Sequence, residues 1–182
     1  MQNVISPGTL EQSAFAPVLP TPAVVSSVAT LNPPMTAIAA SSEESLPPIL
    51  VAEDDADDTF FIQRLIKKTG AKNPVKVFDD GTEVVNYLNA RAHSMSPAAR
   101  RKAPLLLFLD LKMKGLGGFG FLEWARQQKD LGPITIVVLS NSSEPEDMQR
   151  SLELGAHRYL VKYPSVQTFA TLVHSVYPQK VF

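Results

Sequence analysis

The sequence predicts an α/β protein with a doubly wound, five-stranded parallel sheet flanked by five helices. Three observations point to it. Short strand-like runs begin at Ile49, Val75, Leu105, Ile134 and His157, each bounded by turn or polar residues. Segments of helical periodicity lie between them, as right-handed crossovers between parallel strands require. Four of the five runs end on an acid, a serine or a lysine, at the edge where open α/β sheets build their sites.

The first run, Ile49–Ala52, leads straight into Glu53, Asp54 and Asp55. Asp55 or a neighbour can cap the first helix, in which Ile62, Leu65 and Ile66 share one face and Gly70 supplies the stop. Val75–Phe78 reads as the second strand, Asp79, Asp80 and Gly81 turn the chain, and Val84, Val85 and Leu88 mark the second helix. Residues 91–103 contain Pro97 and the basic triplet Arg100, Arg101 and Lys102, and read as a longer loop carrying a solvated charge run. From Leu105 the chain is unbroken in its apolarity up to Asp110, as suits a central strand covered on both faces. Gly115, Gly117 and Gly118 follow, and then a third helix over about 118–130 that buries Phe121, Leu122 and Ala125. The fourth strand starts at Ile134 and ends on Ser140. Ser143, Glu144, Pro145 and Glu146 open the fourth helix with a cap, a first-turn proline and acids against the helix dipole. It stops at Gly155. The fifth strand covers 157–162 and ends on Lys162, and Phe169, Leu172, Val173 and Val176 form the stripe of the fifth helix.

Residues 1–46 differ from the rest: they hold no lysine or arginine and six of the fifteen prolines. Such a Pro/Ala/Ser-rich stretch has too little packable apolar surface to offset its ordering entropy, so a disordered N-terminal tail is expected there and one domain over 47–182. A net charge of −1 argues against a nucleic-acid binder. The absence of cysteine excludes disulfides and thiolate metal sites. No apolar run is long enough to cross a bilayer, and the N-terminus lacks the basic start of a secretory signal, so a cytoplasmic protein with no membrane association is expected.

In a parallel sheet the C-terminal strand ends share one edge, so Glu53, Asp54, Asp110, Ser140 and Lys162 should converge. Three carboxylates that close repel one another unless a proton or cation intervenes. Hard oxygen ligands with no histidine or cysteine suit Mg2+. A lysine and a hydroxyl beside that metal are what an incoming phosphoryl group needs for its oxygens. Asp110, in the middle, would then be the nucleophile that takes the phosphoryl group as an acyl phosphate.

These residues resemble the receiver domain of two-component response regulators. Ile49 to Asp55 looks like its first-strand acidic motif, and Phe108 to Met113 with Gly117, Gly118 and Phe119 looks like its phosphoacceptor strand and turn. Val137 to Ser140 and Gly155 to Lys162 look like its hydroxyl and lysine strands. The resemblance covers about residues 48–177, with a weaker likeness to the single-domain regulators paired with bacterial phytochromes. It implies the flavodoxin-like receiver fold and phosphorylation at Asp110 by a sensor histidine kinase or phosphotransfer protein. It also implies Mg2+ held by Glu53, Asp54, Asp110 and the Lys112 carbonyl, phosphoryl contacts from Ser140 and Lys162, and a switch made of Ser140 and Tyr159. The surface so switched is the fourth helix, fifth strand and fifth helix, about residues 144–177, as a partner or homodimer face. No output domain is expected after the last helix, and no enzymatic turnover beyond self-directed phosphotransfer and autodephosphorylation.

Three positions depart from the family pattern: Lys114 replaces a proline, Gly117 an acid, and Tyr163 separates Lys162 from Pro164. Cis peptides essentially require proline, so the sequence gives no ground for the family's cis bond after the lysine. Three rival functions fit the residues less well. An aspartyl-nucleophile phosphohydrolase would need a second acid where Lys112 stands. A flavin carrier would need a phosphate loop where Glu53 to Asp58 would repel phosphate. A degenerate receiver acting only as a binding module would not need all five site residues.

Overall fold

The computed structural model describes residues 46–178. The tail expected over 1–46 therefore lies, apart from Leu46, outside the described residues. Strands β1 (Ile49–Ala52), β2 (Val75–Phe78), β3 (Leu105–Leu109), β4 (Ile134–Ser140) and β5 (Arg158–Val161) form one parallel sheet in the order β2-β1-β3-β4-β5. Helices α1 (Ala56–Lys68), α2 (Gly81–Ser94), α3 (Pro97–Lys102), α4 (Gly117–Gln127), α5 (Pro145–Glu153) and α6 (Val166–Val176) connect and cover it.

The two-residue period of the strands sorts the core into two layers. Ile49 and Val51 of β1, with Leu106 and Phe108 of β3, face Ile62 and Ile66 of α1 and Phe169 and Val173 of α6. Leu50, Ala52, Leu105, Leu107 and Leu109 face Val84, Leu88, Phe121 and Leu122 of α2 and α4. Phe108 stacks on Phe169 with ring centroids 4.5 Å apart. The register places β1 and β3 level: Ala52 pairs with Leu109, and the Asp110 N–H donates to the Ala52 carbonyl at 2.9 Å. Glu53 N–H likewise donates to Phe78 O, and Lys162 N–H to Ser140 O, both at 2.9 Å. One residue beyond the paired strand ends, the polar side chains emerge together.

Among the described residues there are six helices rather than the expected five. The sixth is α3, inside the segment read as a loop: Ser96 Oγ accepts from Ala99 N–H at 3.2 Å, and Pro97 occupies the first turn. A Ser-Pro start is an N-terminal helix signal that the proline's reputation as a breaker obscured. The basic triplet is corrected as well. Arg101 and Lys102 are exposed, but Arg100 is buried. Its guanidinium donates to the Ala92 and Met95 carbonyls at the end of α2 and to Asp130 before β4. Arg100→Ala should therefore cost about 2 kcal/mol or more in urea unfolding, because it strands those acceptors, whereas Arg101→Ala should stay within about 0.5 kcal/mol.

Two smaller differences concern helix ends. The third long helix, α4, stops at Gln127 rather than near 130, and α5 is capped by Glu144 without a side-chain bond rather than by Ser143. A Cβ on Gly118 would lie 2.3 Å from the Asp110 carbonyl oxygen, so the close seating of α4 on the end of β3 requires glycine there.

Candidate functional site

Asp55 supplies the start of α1: its Oδ1 accepts from the Asp57 and Asp58 N–H groups, both at 2.9 Å, and so fixes the β1–α1 turn. That turn brings Glu53 and Asp54 beside Asp110. Candidate ligand oxygens of these three residues lie within 4.8 Å of one another. Glu53 is 2% exposed and Asp110 is 5% exposed, so both carboxylates are buried. The loop after β3 is tied down from several sides. Asp110 Oδ2 accepts from Lys112 N–H at 2.7 Å, Asp54 Oδ2 from Lys114 N–H at 3.2 Å, and the α2 cap Asp80 from Leu116 N–H at 3.2 Å.

One cation faces this group. Lys162 Nζ lies 2.7 Å from Glu53 Oε2, 2.7 Å from Asp58 Oδ2 and 3.0 Å from Asp110 Oδ1, with 2% of its side chain exposed. Burial opposes its charge, but hydrogen bonds to Asp58 and Glu53 and the charge of Asp110 outweigh it and raise its pKa. Glu53 moves the other way from most ion-paired acids. Burial, reinforced by the Asp110 charge and opposed by Lys162, pushes it from an ordinary 4.5 up to about 7. A single ammonium shared among three acids does not compensate them all, so the donor set fits a hard divalent cation such as Mg2+.

The Glu53 shift has a sign. An acid raised on folding stabilises the fold fully below its unfolded pKa and loses that contribution as pH rises through the folded one. Metal-free protein should therefore lose stability between about pH 4.5 and 7, by an amount on the order of 3 kcal/mol from this residue. Urea midpoints at pH 5 and 8 check this, and Glu53→Gln should flatten the difference.

The open cleft at these groups is lined by the acids Glu53, Asp54, Asp55, Asp57, Asp58 and Asp110, by Lys112 and Lys162, and by Asn141 and Tyr163. Ser140 is not on its wall. It is fully buried at the end of β4, where its Oγ accepts from Ser142 N–H at 3.1 Å, and the next residue, Asn141, reaches the cleft instead. Tyr159 is half-buried, and its hydroxyl donates to the Ser142 carbonyl at 2.9 Å. The two expected switch residues thus bind the N–H and the carbonyl of the same residue, Ser142.

Sequence reasoning missed Asp58 and Tyr163. Asp58 carries the spacing of a first-turn acid, which the helix dipole alone accounts for. The Lys162–Tyr163 peptide is cis although no proline follows Lys162, against expectation. Beyond it the Tyr163 ring lies on Phe61, at 5.0 Å between centroids, and its hydroxyl donates to Asp58 Oδ1.

Residues 49–174 match the sequence profile of the response regulator receiver domain. The chain belongs to the response regulator receiver family. Receivers of this family are phosphoacceptors of two-component systems, bind Mg2+ at an acidic pocket, and interact with histidine kinases or phosphotransfer proteins. The receiver is 29% identical over 138 residues to response regulator Rcp1 of Synechocystis sp., covering 74% of this chain and 90% of that protein. Among solved structures it resembles the bacteriophytochrome response regulator RtBRR (30% identity, TM-score 0.59, 75% of this chain and 80% of the other). It also resembles the bacteriophytochrome response regulator AtBRR (28% identity, TM-score 0.57, 75% and 96%). No helix among the described residues is long and apolar enough to cross a membrane.

Proposed function

We propose that Asp110 accepts a phosphoryl group from the phosphohistidine of a sensor kinase or phosphotransfer protein, and that the chain then signals by an altered surface. The observation that carries this reading is the position of Lys162 Nζ, 3.0 Å from Asp110 Oδ1 and in contact with Glu53. An Asp110 oxygen attacks phosphorus, the O–P bond forms as the P–N bond to the donor imidazole breaks, and the departing nitrogen keeps the electron pair. Glu53, Asp54 and Asp110 are the side chains that would hold Mg2+, with the Lys112 carbonyl as a further ligand. The ion supplies charge neutralisation for the phosphoryl oxygens. Lys162 keeps its protons and turns the N–H that faces the Asp110 carboxylate toward a phosphoryl oxygen, and Lys112 N–H keeps the aspartyl group oriented.

Ser140 is the second phosphoryl contact in this reading. To reach the cleft its hydroxyl leaves Ser142 N–H, and Tyr159, bonded to the same segment, follows. The face that moves is α5, β5 and α6, residues 144–177, which presents Leu152, Val161 and Val166 to solvent and suits a homodimer or a partner protein. The protein is then an acceptor that turns over only its own phosphate, located in the cytoplasm as the family implies, with neither nucleic acid nor membrane as partner. Incubation with acetyl phosphate and Mg2+ tests the reading: intact mass should rise by one phosphate, and omission of Mg2+ should prevent it. Uptake that is equally fast in a chelator would overturn it.

A further inference from the structure

Three carboxylates surround Lys162 Nζ, Glu53 Oε2 and Asp58 Oδ2 accepting hydrogen bonds and Asp110 Oδ1 lying 3.0 Å away, and two of them have other duties in the proposed mechanism. Glu53 is a metal ligand there, and Asp110 becomes the phosphorylated group. Asp58 alone has no such duty. It lies on the first turn of α1, 9% exposed, with Oδ2 at 2.7 Å from Nζ. Dipole compensation does not require it, since Asp57 is acidic on the same turn. Its second oxygen is taken by the Tyr163 hydroxyl, whose ring is in turn held on Phe61 of the same helix. Asp58 is therefore fixed at both oxygens, one by the lysine and the other by the residue that follows it in the chain.

We propose that Asp58, braced by Tyr163, is a positioning residue that keeps the Lys162 ammonium over Asp110 while Glu53 turns to the metal and Asp110 to phosphorus. This rests on the phosphoryl-binding role assigned to Lys162 above. A lysine side chain is long and rotamer-rich, and freeing it costs much of the advantage of a pre-placed cation. Asp58 accepts one N–H before, during and after transfer, so the ammonium needs to redirect only the bond it makes to Asp110. Tyr163 removes the alternative in which Asp58 turns toward solvent.

The test measures the rate of phosphoryl uptake from acetyl phosphate at saturating Mg2+, with melting curves as the check on folding. Asp58→Asn should fold, because it lowers the charge of an acidic cluster, and should react about tenfold more slowly or worse. Tyr163→Phe keeps the ring on Phe61 but loses the hydroxyl, and should fall between Asp58→Asn and the wild type. A double-mutant cycle separates positioning from a merely structural role: in a Lys162→Met background, Asp58→Asn should have no further effect on rate. Wild-type rates in both Asp58→Asn and Tyr163→Phe, with Lys162→Met slowed, would overturn the positioning role and leave the lysine's role standing. A wild-type rate in Lys162→Met would overturn the reading of the lysine and this inference with it. Should Asp58→Asn fail to fold, Tyr163→Phe decides alone, an unchanged rate counting against the proposal.

Discussion

Asp110→Asn should abolish phosphoryl uptake, lowering its rate by about a thousandfold or more. The amide oxygen that replaces the carboxylate carries no charge to attack phosphorus and cannot neutralise a metal. The loss should not come from unfolding. Asp110 lies within 3.0 Å of a lysine that keeps Glu53 and Asp58 as partners, and its negative charge is one cause of the raised Glu53 pKa. Removing that charge relieves repulsion, so Asp110→Asn should melt no lower than wild type in metal-free buffer. Intact mass after acetyl phosphate treatment and a paired melting curve check both halves.

Lys162→Met should be the most destabilising single change at the site. Truncating one partner of a buried charge pair costs about 3–5 kcal/mol, chiefly because the remaining charges are left uncompensated. Here the remaining charges belong to Glu53, Asp58 and Asp110, all buried. The loss should shrink in millimolar Mg2+, because a divalent cation bound to the folded state alone stabilises it by mass action and replaces the missing positive charge. Urea unfolding with and without Mg2+ measures it. A variant as stable as wild type in chelator would mean that Lys162 is not what balances the cluster.

The parts of this architecture legible in the sequence are those set by periodicity and strand order. Burial of β1 and β3 on both faces follows from their unbroken apolarity, and the parallel crossovers force Glu53, Asp110 and Lys162 to one edge. The arginine clamp was not legible. Arg100 occupies the middle of a basic triplet, and only the fold shows that its neighbours face water while it reaches the end of α2 and Asp130. Asp58 escaped for a related reason: a first-turn acid is already explained by the helix that carries it. Lys162 lies more than a hundred residues along the chain, and no local pattern links the two. The rotamer of Ser140 was equally beyond the sequence, since strand order places its Cα at the edge but not its hydroxyl on Ser142 N–H rather than in the cleft.

The central claim is that the phosphoryl group resides on Asp110, and its most direct measurement is chemical location of the phosphate. Protein treated with acetyl phosphate and Mg2+ is trapped with borohydride, which reduces an aspartyl phosphate to homoserine, then digested and sequenced by mass spectrometry. The account predicts homoserine at position 110, dependent on Mg2+. Homoserine at position 54 or 58 with Asp110 unmodified, or phosphate stable to acid and to hydroxylamine on a serine or threonine, would contradict it.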